Sequence, residues 1–202
     1  MSGFEEPLKS KARYKTKLRT IRLPVPLDTA LEEEAGKRTM STNSFIISIL
    51  EKFDEWDRQA ERFHFMAFPK EQVRDEFAAL DDLTLTKRLA KAAGATVPKE
   101  MMLFWFKEVS LDSFIRYLAL QARYQRYAHY EIKHHDEKTT IIAKHDLGPN
   151  WSVWLENYIG EAIRANFGSA PRIESSPNTV RFEFQNSKSA SASARIRQSD
   201  SI

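Results

Sequence analysis

The chain of 202 residues has no cysteine. That absence excludes disulfides, thiolate metal sites and thiol nucleophiles. Glycine is scarce, at six residues, and none falls in a phosphate-cradling loop pattern. A zincin motif and a nucleophile elbow are both lacking, and the spacing of carboxylates and serines picks out no catalytic pair. No enzymatic activity is expected, since an enzyme reading would need a bound metal or cofactor. His134-His-Asp136 and His145-Asp146 flank a β-branched stretch and would have to converge to hold a metal. Such clusters near loops are more often solvated, so neither a metal nor a cofactor is expected. No run of 18 apolar residues exists, which leaves no candidate transmembrane helix and no expected membrane partner. Residues 1–8 lack the charged-then-apolar order of a secretory signal, with Glu5 and Glu6 where basic residues would be needed. The expected compartment is the cytoplasm.

What is present is enough apolar and aromatic side chain, 42% and 11% of residues, for a packed core. The net charge of +3 is unevenly placed. Residues 1–22 carry Lys9, Lys11, Arg13, Lys15, Lys17, Arg19 and Arg22 against only Glu5 and Glu6, and the rest of the chain is mildly acidic. A solvated leader would give the same basic run. The segment that follows it favours a polyanion-binding N-terminus.

After residues 1–16, expected as a flexible basic leader, Leu18-Arg-Thr-Ile-Arg-Leu-Pro24 reads as a short β-type stretch closed by proline, which cannot donate to a sheet ladder. Alternation sets Ile21 and Leu23 on one face and Leu18, Thr20 and Arg22 on the other. A strand this short needs a partner. Residues 26–38 predict a helix: Pro26 suits its first turn, Asp28 and Glu32 its positive end, Lys37 and Arg38 its negative end. Leu27, Ala30, Leu31 and Ala35 share one face. Ser41 is a good N-cap for a second helix with Phe45, Ile46, Ile49, Leu50, Phe53 and Trp56 on a broad apolar face. Some 40 residues of this kind bury little surface as a monomer, whereas two copies bury more.

The residues Thr20-Ile-Arg-Leu-Pro24, then Leu27, Leu31 and Ala35, then Ser41-Thr-Asn-Ser-Phe-Ile46 and Phe53 resemble the ribbon-helix-helix family, in particular its Arc repressor branch. The resemblance runs without gaps over residues 17–53, about a fifth of the chain. It implies a dimeric DNA-binding domain whose two strands pair into a ribbon that enters the major groove. It further implies base contacts from Leu18, Thr20 and Arg22. Phosphate contacts would come from Lys15, Lys17 and the helix start at Ser41, Thr42 and Asn43. The implied dimer core is Ile21, Leu23, Leu31, Met40, Phe45, Ile46, Ile49 and Leu50. The chain departs from the pattern at Leu18, where a polar reader is more usual, at Arg19, which alternation turns inward, and at Thr39, a turn site that often holds glycine. Met40, Phe45 and Ile49 stand where the Arc branch has a buried Arg-Glu-Arg triad, whose replacement by apolar residues is known to stabilise that dimer. On this placement Phe45→Glu is expected to abolish dimerisation.

Residues 67–184 predict a second, α+β domain. Helices are expected at 69–80, 84–93, 98–108 (with Pro98 at its start), 110–128 and 151–167, and strands at 139–143 and 179–184. Together these give a strand–helix–strand closure under a helical layer. Residues 185–202, with their Ser-Ala alternation, predict a disordered tail. The fold class is therefore α+β, an N-terminal ribbon-helix-helix domain at 17–66 followed by a mostly helical α+β domain of oligomerising or effector-binding role. The functional expectation is a sequence-specific transcriptional regulator, a repressor by the family's usual mode. Its expected partners are double-stranded DNA and a second copy of itself, with assembly beyond the dimer left open. The alternative is a DNA-binding antitoxin that neutralises a partner protein through its C-terminal domain. Antitoxins usually hold their partner with a partly disordered segment, and residues 67–184 look too core-rich for that.

Overall fold

Residues 15–135 and 137–186 are described by the structure, a computed structural model, and they divide into two units, Met1–Glu51 and Lys52–Ile202. The basic leader up to residue 14, Asp136 and the serine-rich tail from residue 187 lie outside the described residues.

In the first unit, residues 15–24 form no strand, which overturns the expected N-terminal ribbon-helix-helix fold. The chain's sheet is C-terminal, and each of its strands pairs within it. A strand exists only by pairing, and among the described residues the segment from Lys15 to Pro24 has no partner strand in its own chain. Helix α1 (Val25–Lys37) follows, with Pro26 in its first turn, Asp28 near its positive end and Lys37 near its negative end. It closes in a Schellman arrangement: the Thr39 N–H donates to the Gly36 carbonyl at 3.0 Å and the Met40 N–H to the Ala35 carbonyl at 3.1 Å. This places Thr39 at φ +55°, a left-handed conformation that costs a β-branched residue about 1–2 kcal/mol. Helix α2 (Thr42–Lys52) starts on Ser41, whose hydroxyl accepts from the Ser44 N–H at 3.1 Å.

The second unit opens with a π-helical turn at Phe53–Asp57, the single turn α3 (Arg58–Ala60) and a 3-10 turn at Glu61–Phe63. Trp56 stacks on Phe65, Trp105 and Tyr124 with ring centroids 5.5–5.7 Å apart. The Trp105 indole donates to the Glu55 carbonyl at 3.0 Å. Helix α4 spans Lys70–Ala78. Helix α5 (Leu83–Phe106) begins where the Asp82 carboxylate accepts from the Thr84 and Leu85 N–H groups. It runs straight through Pro98, so the two helices expected at 84–93 and 98–108 are one. Proline removes a helical donor and crowds the carbonyl four residues back, that of Gly94. Both residues are buried, and packing on this face outweighs the local penalty. Helix α6 (Leu111–Leu120) starts in a capping box of Ser110 and Ser113 and ends earlier than expected, in a π-helical turn at Gln121–Gln125.

Four antiparallel strands then form the sheet β1-β2-β4-β3: β1 (His129–His135), β2 (Lys138–Lys144), β3 (Arg172–Ser176) and β4 (Thr179–Gln185). The strands expected at 139–143 and 179–184 are the central pair, with Ile141 opposite Phe182. One face of this pair is buried through Thr139, Ile141, Ala143, Val180, Phe182 and Phe184. Helix α7 (Pro149–Phe167) buries Leu155, Ile159, Ala162 and Ile163. It makes two close approaches: a side chain on Gly94 of α5 would meet the Tyr158 carbonyl oxygen at 2.2 Å, and one on Gly160 would meet Ile173 of β3 at 2.9 Å. Within the core the Tyr117 and Tyr158 hydroxyls are 3.0 Å apart, and the Gln121 amide donates to Tyr117 at 2.8 Å. Burial pushes both phenols well above their ordinary pKa, so they stay protonated. Among the described residues no helix is long and apolar enough to cross a membrane.

The loop after β2 is clipped to the β3–β4 turn through His145. Its Nδ1 accepts from the Leu147 N–H at 3.2 Å, so Nε2 carries the proton and donates to the Ser152 hydroxyl at 2.8 Å. That hydroxyl donates onward to the Ser176 carbonyl at 2.7 Å. Burial lowers the His145 pKa; Asp146 opposes that shift and Lys70 adds to it. The bonded arrangement requires the neutral ring.

Two expectations follow. Replacing glycine by alanine inside a helix normally stabilises it by about 1 kcal/mol. Gly94→Ala should instead cost about 3 kcal/mol or more in urea unfolding, because α5 and α7 must part. An unchanged or raised stability would contradict the packing. Because the folded-state pKa of His145 is depressed, its contribution is whole above the ordinary imidazole range and is lost as pH falls below about 6.5. Unfolding free energy should therefore decline on acidification through that range, and more weakly in His145→Asn. Identical pH slopes for the two proteins would contradict the assignment.

Candidate nucleic-acid interface

Residues 15–24 hold four cations, Lys15, Lys17, Arg19 and Arg22, and no carboxylate. All four side chains are exposed, and among the described residues none has a carboxylate partner. The next cations along the chain differ. Lys37 and Arg38 both reach Glu34, Arg38 at 2.9 Å, and hold that carboxyl below its usual range. Among the described residues, the cations of the first unit that lack a carboxylate partner thus all lie before α1.

Leu18, Thr20 and Arg22, expected to read bases, all lie on this segment and all are exposed, Leu18 at 90%. Without a strand the alternation that would set them on one face no longer applies. Arg19, expected to turn inward, is exposed as well. Lys15 and Lys17 precede them on the same segment. At the start of α2, Ser41 is exposed, but its hydroxyl is engaged as the cap, accepting from Ser44 and lying 2.8 Å from the Ser44 hydroxyl. The N–H groups of Thr42 and Asn43, in the first turn, stand outside the helical ladder and point toward the helix start, where an anion is favoured.

The residues expected at a dimer core fall into two groups. Phe45 is buried within its own chain, with the Arg38 guanidinium 4.9 Å above its ring. Phe45→Glu therefore acts on the fold of the single chain and is a poor probe of dimerisation. Leu23, Leu31 and Ile46 are half-buried. Ile21, Met40, Ile49 and Leu50 are exposed, Ile21 at 60% and Leu50 at 61%. Val25, Leu27 and Ile47 are exposed beside them in sequence. In the first unit the buried apolar side chains among the described residues are Ala35 and Phe45. Two buried side chains are far fewer than a free-standing domain of this length needs.

The histidine pairs considered for a metal do not converge. His134 Nδ1 lies 3.0 Å from the Thr139 hydroxyl, His145 bonds Ser152, and Asp146 holds Lys70. Asp136 lies outside the described residues, and among the described residues no group of three histidines or carboxylates is placed to hold a metal. The Glu34 clamp on Arg38, which separates paired from unpaired cations, was open to sequence reasoning through its i, i+4 spacing but did not enter it. Comparison with family models, with curated proteins and with solved structures finds no match to this chain, so the ribbon-helix-helix resemblance rests on the residues quoted for it alone.

Proposed function

We propose that this chain is a transcriptional regulator that binds double-stranded DNA as a homodimer through its first unit. The observation that carries the reading is the segment 15–24, with four exposed cations, no carboxylate within it and no carboxylate partner among the described residues. Such a segment gains affinity for a polyanion by releasing condensed counterions. The open N–H groups of Thr42 and Asn43 add a place for a phosphate that fixes register. Arg22 is suited to a bidentate contact with guanine, and Thr20 to either base type or a thymine methyl. The exposed Ile21, Met40, Ile49 and Leu50 supply the face that a second copy covers, which doubles the number of cations brought to one duplex.

The test is retention of pooled genomic duplex fragments by the full-length protein across a salt series, alongside Arg22→Ala. A few fragments should be retained selectively. If the dimer engages six to eight phosphates, log K should fall against log salt with a slope of roughly −5 to −7. Arg22→Ala should reduce that slope and blur the selection. Weak, uniform retention that Arg22→Ala leaves unaltered would overturn the regulator reading.

A further inference from the structure

At one end of the sheet in the second unit, stretches remote in sequence close around a cleft of about 370 Å3. Lys70 comes from the start of α4, Arg126 and Tyr127 follow the Gln121–Gln125 turn, His129 opens β1, and Lys144 and His145 close β2. The pairing of His129 with Lys144 brings the two ends of the β1–β2 hairpin to this mouth. The volume is that of a small-molecule site, and Ala122 and Ala128 give it an apolar strip.

Among the described residues, cations outnumber carboxylates around the cleft by three to two, with Glu131 beside Lys144. Lys70, Arg126 and Lys144 line it, and among the described residues the carboxylate on its wall is Asp146. Lys70 holds Asp146 and keeps that carboxyl below its usual range, and Lys144 is held by Glu131. Both pairs are solvent-exposed, so each is worth about 0–1 kcal/mol and yields readily to a ligand of higher charge. The Arg126 side chain has no ion pair or hydrogen bond among the described residues. Its backbone sits at φ +58°, with its N–H on the Gln121 carbonyl at 2.9 Å. Left-handed backbone favours glycine, so an exposed arginine holds this position at a cost of about 1–2 kcal/mol. The π-helical turn it closes is a feature concentrated at functional sites.

We propose that this cleft binds a phosphate group, either free or carried by a small ester, with the Arg126 guanidinium forked across its oxygens and Lys70 and Lys144 flanking it. Arg126 offers a phosphate a guanidinium without a carboxylate partner among the described residues, Lys70 and Lys144 turn to it from their exposed pairs with Asp146 and Glu131, and arginine presents the planar fork that phosphate geometry suits. The Tyr127 ring, beside the apolar strip, contacts the organic part of an ester. The site lies wholly within the second unit and does not depend on the DNA-binding proposal.

Isothermal titration of the full-length protein tests this with three probes: inorganic phosphate, adenosine monophosphate and, as the uncharged control, adenosine. Both phosphates should bind saturably at about millimolar concentration or below, and adenosine should not. Equal affinity for the two phosphates would identify free phosphate as the ligand; tighter binding of the monophosphate would identify an ester. Arg126→Gly should weaken phosphate binding by roughly tenfold or more. The same change should leave the melting temperature level or raise it, since glycine relieves the positive φ. Lys144→Met should weaken binding as well. Absence of saturable phosphate binding would overturn the proposal. So would binding that Arg126→Gly and Lys144→Met both leave unchanged, because the phosphate would then sit elsewhere, on residues 15–24 for example.

Discussion

Everything in the second unit is built on the distance between α5 and α7, and that distance is set by a missing side chain. At Gly94 the α5 backbone comes so near the Tyr158 carbonyl that no Cβ fits between them. The approach makes α7 part of the helical layer while its other side rests on the sheet through Gly160 and Ile173. With α7 fixed, the Tyr158 hydroxyl reaches Tyr117 of α6, and Tyr117 in turn takes the amide of Gln121, the first residue of the π-helical turn. That turn delivers Arg126 to the rim of the cleft. The N-terminal end of α7 presents Ser152 to His145 and so holds the opposite wall. One close helix contact thus orders both sides of the cationic cleft by way of buried polar bonds, which are costly to leave unmade once desolvated.

The first unit shows the opposite balance. Its helices are locally well specified, with proline at the start of α1, a Schellman closure through Thr39 and a serine cap on α2. These devices stabilise ends; they do not bury surface. The apolar residues that would form a core are largely left in solvent, beside a run of cations without carboxylate partners among the described residues. Apolar side chains and cations are thus left in solvent together, the first open to a second copy and the second to a polyanion in the reading proposed above. The proposed regulator uses both.

Much of the helical architecture was legible because its physics is local. The expected helix at 26–38 stands at Val25–Lys37, and the one at 151–167 at Pro149–Phe167. Apolar spacing and capping residues carry that information without reference to the rest of the chain. The central strands β2 and β4 were legible for a similar reason, since burial on one face writes a two-residue alternation into the sequence. Edge strands β1 and β3 carry little of it: β1 ends in Lys133-His134-His135 and β3 in Glu174-Ser175-Ser176, all exposed. The segment at 18–24 misled in the other direction, because β-type composition states a willingness to pair and not the presence of a partner. Pro98 misled because a proline penalty of a few kcal/mol is a local term, whereas the burial of Gly94 and Pro98 is a tertiary one. The cationic segment could be seen in the sequence since its charges are contiguous. The cleft could not, because Lys70, Arg126 and Lys144 meet only through the β1–β2 register and the π-helical turn.

The claim that most of the functional reading rests on is that a second copy covers the exposed apolar face of the first unit. Sedimentation equilibrium of the full-length chain, beside a Leu50→Lys variant, tests it directly. Leu50 is well exposed in the single chain, so its replacement leaves the fold of each chain intact. The account predicts a reversible dimer at about micromolar concentration or below, shifted toward monomer in the variant. A wild-type chain that stays monomeric well above that range, or a dimer indifferent to Leu50→Lys, would contradict it.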